Sequence, residues 1–313
     1  MSICILQGGA FSTIQDIGRY GGQSMGFSVS GVMDRKSFWQ ANMLLGKKQG
    51  GAVIESALCG PTLKFTESVY FTLTGADMQP LLNGRAIPQY HVFLAKPGDE
   101  LRLGFAKEGM YTYIAFAAKI DVPDFMGSRS TNLKCGVGGY QGRKLEAGDE
   151  LQLTDVKEKL PNLYKRYEDI SLKMAPEITL RAMEGPEYDR FGQTGAKTFW
   201  NSVYTVSDAA DRMGYRMEGE PVTAEGGVDI ISNGIAFGAV QIPPNGMPII
   251  MMADRQTMGG YAKIANVISA DLPLLAQSRP GTKVRFCRVT VEEAQKALYR
   301  ERRLLKHFWR EVN

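Results

Sequence analysis

Short stretches in which apolar and polar side chains alternate constrain the fold of this sequence more than any other feature. The alternation has a period of two at residues 69–73, 101–105 and 178–182, as in strands that bury one face. The 35 glycines and 14 prolines divide the chain into many short segments, which is typical of sandwiches and barrels. We therefore predict a mainly β fold with few helices.

A short turn sequence occurs three times, each time before a predicted strand. It reads PGDELRL at 97–103, AGDELQL at 147–153 and PGTKVRF at 280–286. The glycine in each copy allows the positive φ that tight turns often require. Because copies fall in both halves of the chain, the pattern is compatible with two related β domains.

A charged segment separates the two predicted domains. Residues 154–176 are rich in Lys, Glu, Asp and Tyr and lack the alternation of strands. We predict an N-terminal β domain over 1–155, a charged linker over 156–176, and a C-terminal β domain with a closing helix over 177–313.

Two helices have clear sequence signals. Asp34 is a suitable N-cap for a helix that runs to Leu45 and stops at Gly46. Near the C-terminus, Thr290 and Glu293 have the spacing of a capping box. The apolar stripe of this last helix indicates packing against the core and consists of Ala294, Leu298, Leu305, Phe308 and Trp309.

Composition and charge argue against two classes of partner. The 313 residues carry a formal net charge of only +4, with basic residues interleaved among acidic ones, so no surface for a phosphate backbone is predicted. The longest apolar runs, such as 247–253, are much shorter than the roughly 18 residues of a membrane-spanning helix. We expect neither nucleic acid nor a membrane as a partner.

The N-terminus and the cysteines indicate a cytoplasmic protein. The first residues, MSICILQGGAF, lack the features of a secretory signal. The cysteines at 4, 59, 135 and 287 do not have the C-x-x-C spacing of a zinc site or a dithiol centre. We predict a reducing compartment and no metal site.

Standard catalytic motifs are missing from the sequence. His91 and His307 are the only histidines, and no G-x-S-x-G motif is present for a serine hydrolase. There is no G-x-x-x-x-G-K-[ST] phosphate loop. CGVGGYQG at 135–142 approaches a dinucleotide motif, but Gln141 stands where the third glycine belongs, so a glycine-rich loop is the favoured interpretation.

Several clusters combine glycine with Gln, Asn, Arg and Asp. Such loops bring backbone amides and side-chain donors close to a small polar ligand. Each alone is more often a structural turn, but their number favours a site. The clusters are IQDIGRYGG (14–22), SGVMDR (30–35), GSRSTNLKCGVGGYQGR (127–143), DRMGYR (211–216), QIPPNG (241–246) and DRQTMGGY (254–261).

These clusters resemble those of one protein family. TIQDIGRYG, SGVMD and the later E-x-A-x-x-GP-x-L-x-F pattern are similar to the biotin-dependent carboxyltransferase-type family, also called allophanate hydrolase subunit 2 or KipI antagonist. The second half continues the resemblance with RAMEGPEYDRF, DRMGYRMEG and the long segment from ISNGIAFG to QSRPG. The resemblance covers nearly the whole chain except the charged linker and the last helix.

The resemblance implies two cyclophilin-like β-barrel domains and a hydrolase subunit that is not complete on its own. Members of this size are similar to the C subunit of ATP-dependent 5-oxoprolinase, which opens the lactam of 5-oxoproline to L-glutamate. The implied partners are a KipI-like subunit in direct contact and a LamB/YcsF-like subunit, and the substrate is a small amide or lactam. ATP serves the complex, at a site that the sequence does not place on this chain.

Two other functions fit the same resemblance. A carboxyltransferase component would act on urea or a related amide with carboxybiotin, and the biotin would come from another chain, because no M-K-M motif is present. A non-catalytic antagonist would bind a KipI-like inhibitor of a sensor histidine kinase.

Motif matches to the family give the candidate site residues. The catalytic candidates are Asp254, Gln256, Tyr261 and Asp16. Asp254 would act as a base or position a water molecule, and Gln256 would recognise the amide of the substrate through hydrogen bonds. The substrate-binding candidates are Gln15, Arg19, Asp34, Arg212 and Arg216, with arginine as the clamp for a substrate carboxylate. Structural alternatives stay open: Asp16 and Asp34 as acceptors for turn or cap amides, and the arginines as ion-pair partners.

The sequence departs from the family pattern inside the 254–261 cluster. Met258 stands where the family usually has a second threonine, and Ala262 where it usually has proline. Because Met258 has no hydroxyl, we do not expect a direct catalytic role at that position.

Overall fold

The chain folds into two compact units. The computed structural model describes residues 1–48 and 50–313. The first unit contains Met1–Tyr20, Ser30–Met174 and Arg303–Asn313, and the second contains Gly21–Val29 and Ala175–Arg302.

Two antiparallel sheets form the first unit. One has the strand order β11-β12-β1-β4-β9-β6-β7 and the other β2-β3-β10-β5-β8, where the strands are β1 (Ser2–Gln7), β2 (Phe11–Gln15), β3 (Val53–Ala57), β4 (Thr62–Phe65), β5 (Val69–Asp77), β6 (Leu81–Leu82), β7 (Arg85–Ala86), β8 (Val92–Ala95), β9 (Glu100–Arg102), β10 (Glu108–Phe116), β11 (Lys119–Ile120) and β12 (Glu150–Thr154). Both sheets contribute to one apolar core, in which Ile3, Phe65, Phe71 and Phe116 are fully buried. Burial of these large side chains supplies the main driving force for folding of this unit.

Helix α1 (Arg35–Leu44) covers part of the second sheet. The Thr74 hydroxyl of β5 donates to the backbone carbonyl of Ser37 over 2.9 Å. Thr72 and Thr74 are therefore as buried as Phe71 and Leu73 on the opposite face of β5. The alternation of β5 thus separates two buried faces, one apolar and one hydroxyl-bearing.

The capping signals of both helices are confirmed, whereas the five residues of the apolar stripe on the last helix are only half-buried. Asp34 is the N-cap of α1, and its carboxylate accepts hydrogen bonds from the backbone N–H of Ser37 over 3.0 Å and from the Ser37 hydroxyl over 2.6 Å. Leu45 is the C-cap, and Gly46 follows with φ 67°. At the last helix, Thr290 and Glu293 form the reciprocal hydrogen bonds of a capping box.

Asp34→Ala is expected to lower the free energy of unfolding by about 1–2 kcal/mol, because the first turn of α1 loses its side-chain acceptor. Chemical denaturation followed by circular dichroism measures this loss. Asp34→Asn retains an acceptor of equal capping quality and serves as the matched control. Equal stability of the alanine variant and the native protein would contradict the assignment of Asp34 as a cap.

A closed barrel forms the second unit. Its strand order is β13-β20-β17-β18-β15-β14-β21, and parallel pairing of β13 with β21 closes it. A separate two-stranded ribbon joins β16 to β19. The strands are β13 (Glu177–Glu184), β14 (Tyr204–Val206), β15 (Gly214–Glu218), β16 (Asp229–Gly234), β17 (Ala239–Gln241), β18 (Ile249–Met251), β19 (Met258–Tyr261), β20 (Lys263–Val267) and β21 (Lys283–Arg288).

The remaining helices are short, apart from the last. They are α2 (Gly192–Asn201), α3 (Leu272–Ala276) and α4 (Val291–Val312), with 3-10 turns at Tyr20–Met25, Leu163–Lys165 and Tyr188–Phe191. The predicted fold class, mainly β with few helices and a C-terminal helix, is confirmed. In the described residues, 1–48 and 50–313, no helix combines the length and apolar character needed to cross a bilayer.

The repeated turn is confirmed in all three copies. Gly98, Gly148 and Gly281 have φ values of 88°, 94° and 87°, and β9, β12 and β21 each begin two positions after the glycine. The predicted alternation at 101–105 is wrong at its end, because β9 stops at Arg102 and Phe105 is 73% exposed.

The segment predicted as a charged linker, 156–176, groups with the first unit as far as Met174. Its side chains bind the C-terminal end of α1: the Lys157 ammonium donates to the carbonyl of Gly46 over 2.7 Å, and the Arg166 guanidinium donates to the carbonyl of Leu44 over 2.7 Å. Cations at the C-terminal end of a helix interact favourably with its dipole.

The end of the closing helix, which the prediction gave to the C-terminal domain, also groups with the first unit. Val312 is buried there against Leu44 and Tyr90. Apolar contacts distant in sequence thus determine which unit holds these residues.

Candidate functional site

The candidate residues fall in both units. Gln15, Asp16, Arg19 and Asp34 belong to the first unit, whereas Arg212, Arg216, Asp254, Gln256 and Tyr261 belong to the second. The candidates thus form two groups, one in each unit.

In the first unit, Asp16 is at the centre of a dense hydrogen-bond cluster. One carboxylate oxygen accepts from the Ser128 and Ser130 hydroxyls, each over 2.6 Å, and from the backbone N–H of Gly18 over 2.9 Å. The other accepts from the backbone N–H of Arg129 over 2.7 Å. These bonds stabilise the charged carboxylate and fix the 128–130 segment against the end of β2.

Gln15 and Arg19 lie next to this cluster and are almost completely buried. The Gln15 amide nitrogen donates to the carbonyl of Thr131 over 3.0 Å, which fixes the orientation of the amide because its oxygen cannot face a carbonyl. The Arg19 guanidinium donates to the carbonyl of Ser130 and, over 3.2 Å, to the Ser30 hydroxyl. Both side chains therefore bind protein groups of the first unit.

The glycine-rich segment 135–142 is a loop packed closely on the same cluster. A Cβ atom at Gly139 would lie against the Thr131 hydroxyl, and one at Gly138 would lie against the carbonyl of Ser130. These glycines are needed for close backbone approach. The interpretation of 135–142 as a glycine-rich loop agrees with this geometry.

Asp34, the last candidate of the first unit, is buried as the N-cap of α1.

In the second unit, Asp254 and Arg212 form a partly buried ion pair. Arg212 Nε lies 2.8 Å from Asp254 Oδ2, and Nη2 lies 3.1 Å from Oδ1. The Arg212 and Asp254 side chains are only 15% and 10% exposed. The backbone N–H of Asp254 also donates to the carbonyl of Arg212 over 2.8 Å. The bidentate side-chain contact fixes the start of the 254–261 loop, in which residues 254–257 lead from β18 to the ribbon and residues 258–261 are strand β19 itself.

Arg255 fixes the middle of the loop. Its guanidinium donates to the carbonyls of Ile235 over 3.0 Å and Met252 over 3.3 Å, and it lies 5.4 Å from the ring centroid of Phe237. With 7% of its surface exposed, Arg255 is a structural part of the loop.

The remaining candidates of this unit are exposed. Tyr261 ends β19 with 39% of its surface exposed, and Gln256 is exposed, with no hydrogen bond from its side chain to the described part of the chain. Arg216 is exposed on β15 and donates to the carbonyl of Ala209 over 2.6 Å. Met258 is 56% exposed on the ribbon. The loop thus presents an amide and a phenol to solvent from a fixed backbone.

Three further polar residues near the loop were not among the candidates. Glu187, Asn233 and Lys263 bind one another, and the Lys263 and Glu187 side chains are only 4% and 13% exposed. Burial alone would raise the pKa of Glu187. Hydrogen bonds from the backbone N–H of Lys263 and from the Asn233 and Lys263 side chains, with the lysine charge, outweigh burial and lower the pKa of this carboxyl.

The sequence contained a weak signal for this trio. Each residue lies in a segment that carries the family resemblance, and Lys263 begins the apolar run KIANV. A lysine on a barrel strand is usually exposed, so its burial depends on partners that are distant in sequence.

Gln256 and Tyr261 can both form hydrogen bonds with a small polar ligand. A glutamine side chain offers donors and an acceptor, which match the C=O and N–H of an amide or lactam. Tyr261 offers a hydroxyl that can donate to an oxygen on which negative charge develops. Among the described residues, no group of His, Cys, Asp and Glu side chains is arranged to hold a metal ion.

The fold and these loops define a carboxyltransferase-type domain, and the chain belongs to that family. The profile of the carboxyltransferase domain, subdomain A and B, matches residues 25–288.

Among curated relatives, the C subunit of 5-oxoprolinase from Haemophilus influenzae is 38% identical over 286 residues, covering 91% of this chain and 90% of the relative. The protein of the same name from Escherichia coli strain K12 is 35% identical over 311 residues, covering 98% and 97%.

Among solved structures, the urea amidolyase of K. lactis superimposes with a TM-score of 0.91 at 26% identity. That match covers 98% of this chain but only 20% of the amidolyase chain. The present chain thus corresponds to one part of a longer protein in that case.

Proposed function

We propose that this chain is a subunit of an ATP-dependent 5-oxoprolinase, which opens the lactam of 5-oxoproline to L-glutamate together with KipI-like and LamB/YcsF-like subunits. The observation that carries the proposal is full-length similarity: the two relatives named as the C subunit of 5-oxoprolinase align over 90% and 97% of their own length. The chain would not be a complete enzyme by itself, since each of these relatives is named as a subunit.

The chemistry of the 254–261 loop supports this assignment. Opening a lactam breaks the C–N bond, adds the hydroxyl of water to carbon and adds a proton to nitrogen. The carbonyl oxygen gains negative charge on the way, and hydrogen-bond donors stabilise that charge. We assign Gln256 to the amide group of the substrate and Tyr261 to the developing oxygen charge, because both side chains are exposed, Gln256 just before β19 and Tyr261 at its end.

The ion pair suggests separate roles for the acidic and basic candidates. Each oxygen of Asp254 accepts one hydrogen bond from Arg212 and retains a lone pair that can orient a water molecule. Because Arg212 binds Asp254, we assign the clamp for the substrate carboxylate to the exposed Arg216.

We place the ATP site on another subunit. A triphosphate needs several donors that converge on it, whereas the cations of this loop and its neighbours bind protein groups: Arg212 binds Asp254, Arg255 binds backbone carbonyls, and Lys263 binds Glu187 and Asn233. The sequence also has no phosphate loop.

Carboxyl transfer to urea or a related amide is the second candidate, supported by the TM-score of 0.91 with urea amidolyase. The biotin would be carried by another chain, because this sequence has no M-K-M motif. A planar amide is the shared feature of urea and 5-oxoproline, so the same Gln256 and Tyr261 would serve either substrate.

Reconstitution with one subunit omitted at a time tests the proposal. The chain is combined with its KipI-like and LamB/YcsF-like partners, and release of glutamate from 5-oxoproline and hydrolysis of ATP are measured. Loss of both activities without this chain is expected. Full activity without it would favour the antagonist of a KipI-like inhibitor, and biotin-dependent turnover of urea in place of 5-oxoproline would favour carboxyl transfer.

Gln256→Ala is expected to raise the KM for 5-oxoproline about tenfold in the reconstituted complex, as loss of a substrate hydrogen bond does. Steady-state kinetics with varied 5-oxoproline measure this change. Gln295→Ala, which removes an exposed glutamine on α4, is the matched control and should leave KM unchanged. An unchanged KM in the Gln256 variant would remove this side chain from the binding site.

A further inference from the structure

The trio of Glu187, Asn233 and Lys263 forms a closed hydrogen-bonded ring. Lys263 Nζ donates to the Asn233 side-chain oxygen and lies 3.2 Å from Glu187 Oε2. The Asn233 amide nitrogen donates to Glu187 Oε1 over 2.9 Å. Each side chain therefore contacts both of the others.

This ring is located where the ribbon leaves the barrel. Strand β19 ends at Tyr261, and the barrel strand β20 begins at Lys263, with only the fully buried Ala262 between them. The backbone N–H of Lys263 donates to Glu187 Oε2 over 3.0 Å. Glu187 thus binds both the backbone and the side chain of Lys263, the first residue of β20.

Asn233 extends the same contacts to the other strand of the ribbon. It lies on β16, where its register partner is Gly259 of β19. The ring therefore links β16, the start of β20 and the loop that follows β13. A shift of the ribbon relative to the barrel would break at least one of its hydrogen bonds.

The ribbon has few apolar contacts that could fix its position otherwise. Every residue of β16 is exposed except the half-buried Ile230, and Ile231 is 95% exposed. A two-stranded ribbon with little buried apolar surface is marginally stable in water. Hydrogen bonds are directional, so bonds to the Lys263–Glu187 ion pair specify one position of the ribbon. Apolar contacts are not directional and would allow the ribbon to shift.

We propose that Asn233, Lys263 and Glu187 are positioning residues, which hold the ribbon so that Tyr261 and Gln256 meet the amide of the substrate. The identity of the substrate in this inference rests on the proposed function. The structural role of the ring does not. Lys263 acts through Tyr261, two residues earlier in the chain, and Asn233 acts through its pairing with Gly259.

Asn233→Ala is the first test, because it removes the side-chain link between β16 and the Lys263–Glu187 ion pair and leaves that pair intact. In the isolated chain, we expect the amides of residues 258–261 to exchange with deuterium about tenfold faster, whereas those of 264–267 keep their rates. Ser232→Ala, at the neighbouring exposed position of the ribbon, is the matched control. Unchanged exchange at 258–261 in the Asn233 variant would overturn the proposal.

Kinetics of the reconstituted complex provide the second readout. Asn233→Ala is expected to raise the KM for 5-oxoproline about tenfold with a change in kcat of less than about threefold. Asn233→Asp keeps the acceptor for Lys263 but puts a carboxylate oxygen where the Asn233 amide donates to Glu187 Oε1, so it should not restore the native KM. Asp271→Asn, in the Arg181–Asp271 ion pair of the same barrel, controls for general destabilisation and should leave KM unchanged. An equal rise in KM in that variant would overturn the positioning role.

The exchange experiment separates this inference from the proposed function. If the complex shows no 5-oxoprolinase activity with the native chain, the proposed function fails, and faster exchange at 258–261 in the Asn233 variant still supports the ring as the anchor of the ribbon. If the complex is active and exchange is unchanged, the ring fails and the function stands.

Discussion

Asp254→Ala is expected to lower the free energy of unfolding of this chain by about 3 kcal/mol and the turnover of the reconstituted complex by about a hundredfold. The substitution removes the carboxylate that Arg212 binds through two contacts, and both side chains are largely shielded from water, at 15% and 10% exposed. It also releases the start of the loop that carries Gln256 and Tyr261. Denaturation of the isolated chain and glutamate release by the complex measure the two effects.

The double variant Asp254→Ala/Arg212→Ala separates the two causes. The double variant removes Arg212 together with the carboxylate that it binds, so it should be more stable than the sum of the single losses indicates, by about 1 kcal/mol or more. Its turnover should stay as low as that of Asp254→Ala, because the carboxylate is still missing. Recovery of turnover together with stability would contradict a direct role for Asp254 and leave it as a structural partner of Arg212.

The features of the fold that the sequence predicted correctly depend on neighbours in the chain. The capping box of Thr290 and Glu293 and the turn glycine at 98 involve residues no more than a few positions apart. The exposure of Phe105 and the packing of segment 156–174 do not depend on neighbours in the chain. Exposure of Phe105 and packing of Arg166 on α1 depend on contacts between distant parts of the chain, which periodicity and composition do not contain.

The same distinction applies to the candidate site. Motif resemblance selected the 254–261 loop, and the structure gives it a fixed backbone with exposed Gln256 and Tyr261. The sequence did not reveal that Asp254 is bound by Arg212, 42 residues away, or that Lys263 is buried. Which polar residues are bound by protein groups and which face solvent is decided by tertiary structure, so motif matching alone could not separate anchors from ligand-binding groups.

Asp16 is the clearest case of a candidate residue that is bound by protein groups. Its replacement by alanine is expected to lower the free energy of unfolding by about 3–5 kcal/mol. The carboxylate accepts four hydrogen bonds, two from the hydroxyls of Ser128 and Ser130 and two from the backbone N–H groups of Gly18 and Arg129. Hydrogen bonds to a charged group contribute about 1.5–3 kcal/mol each when measured singly, and bonds to one group are not additive. Chemical denaturation of the isolated chain measures the loss.

Asp124→Ala is the matched control, because Asp124 lies just before the same segment but is exposed and accepts from the backbone N–H of Gly127; a loss below about 1 kcal/mol is expected. Asp16→Asn keeps one acceptor oxygen but places an amide where the N–H of Arg129 donates, so its stability should fall between those of the native protein and Asp16→Ala. Turnover of the complex should then follow stability across the Asp16 series. If Asp16→Asn folds as stably as the native chain and nevertheless abolishes turnover, Asp16 takes part in the reaction; if turnover follows stability, its four donors define it as the anchor of the 128–130 segment.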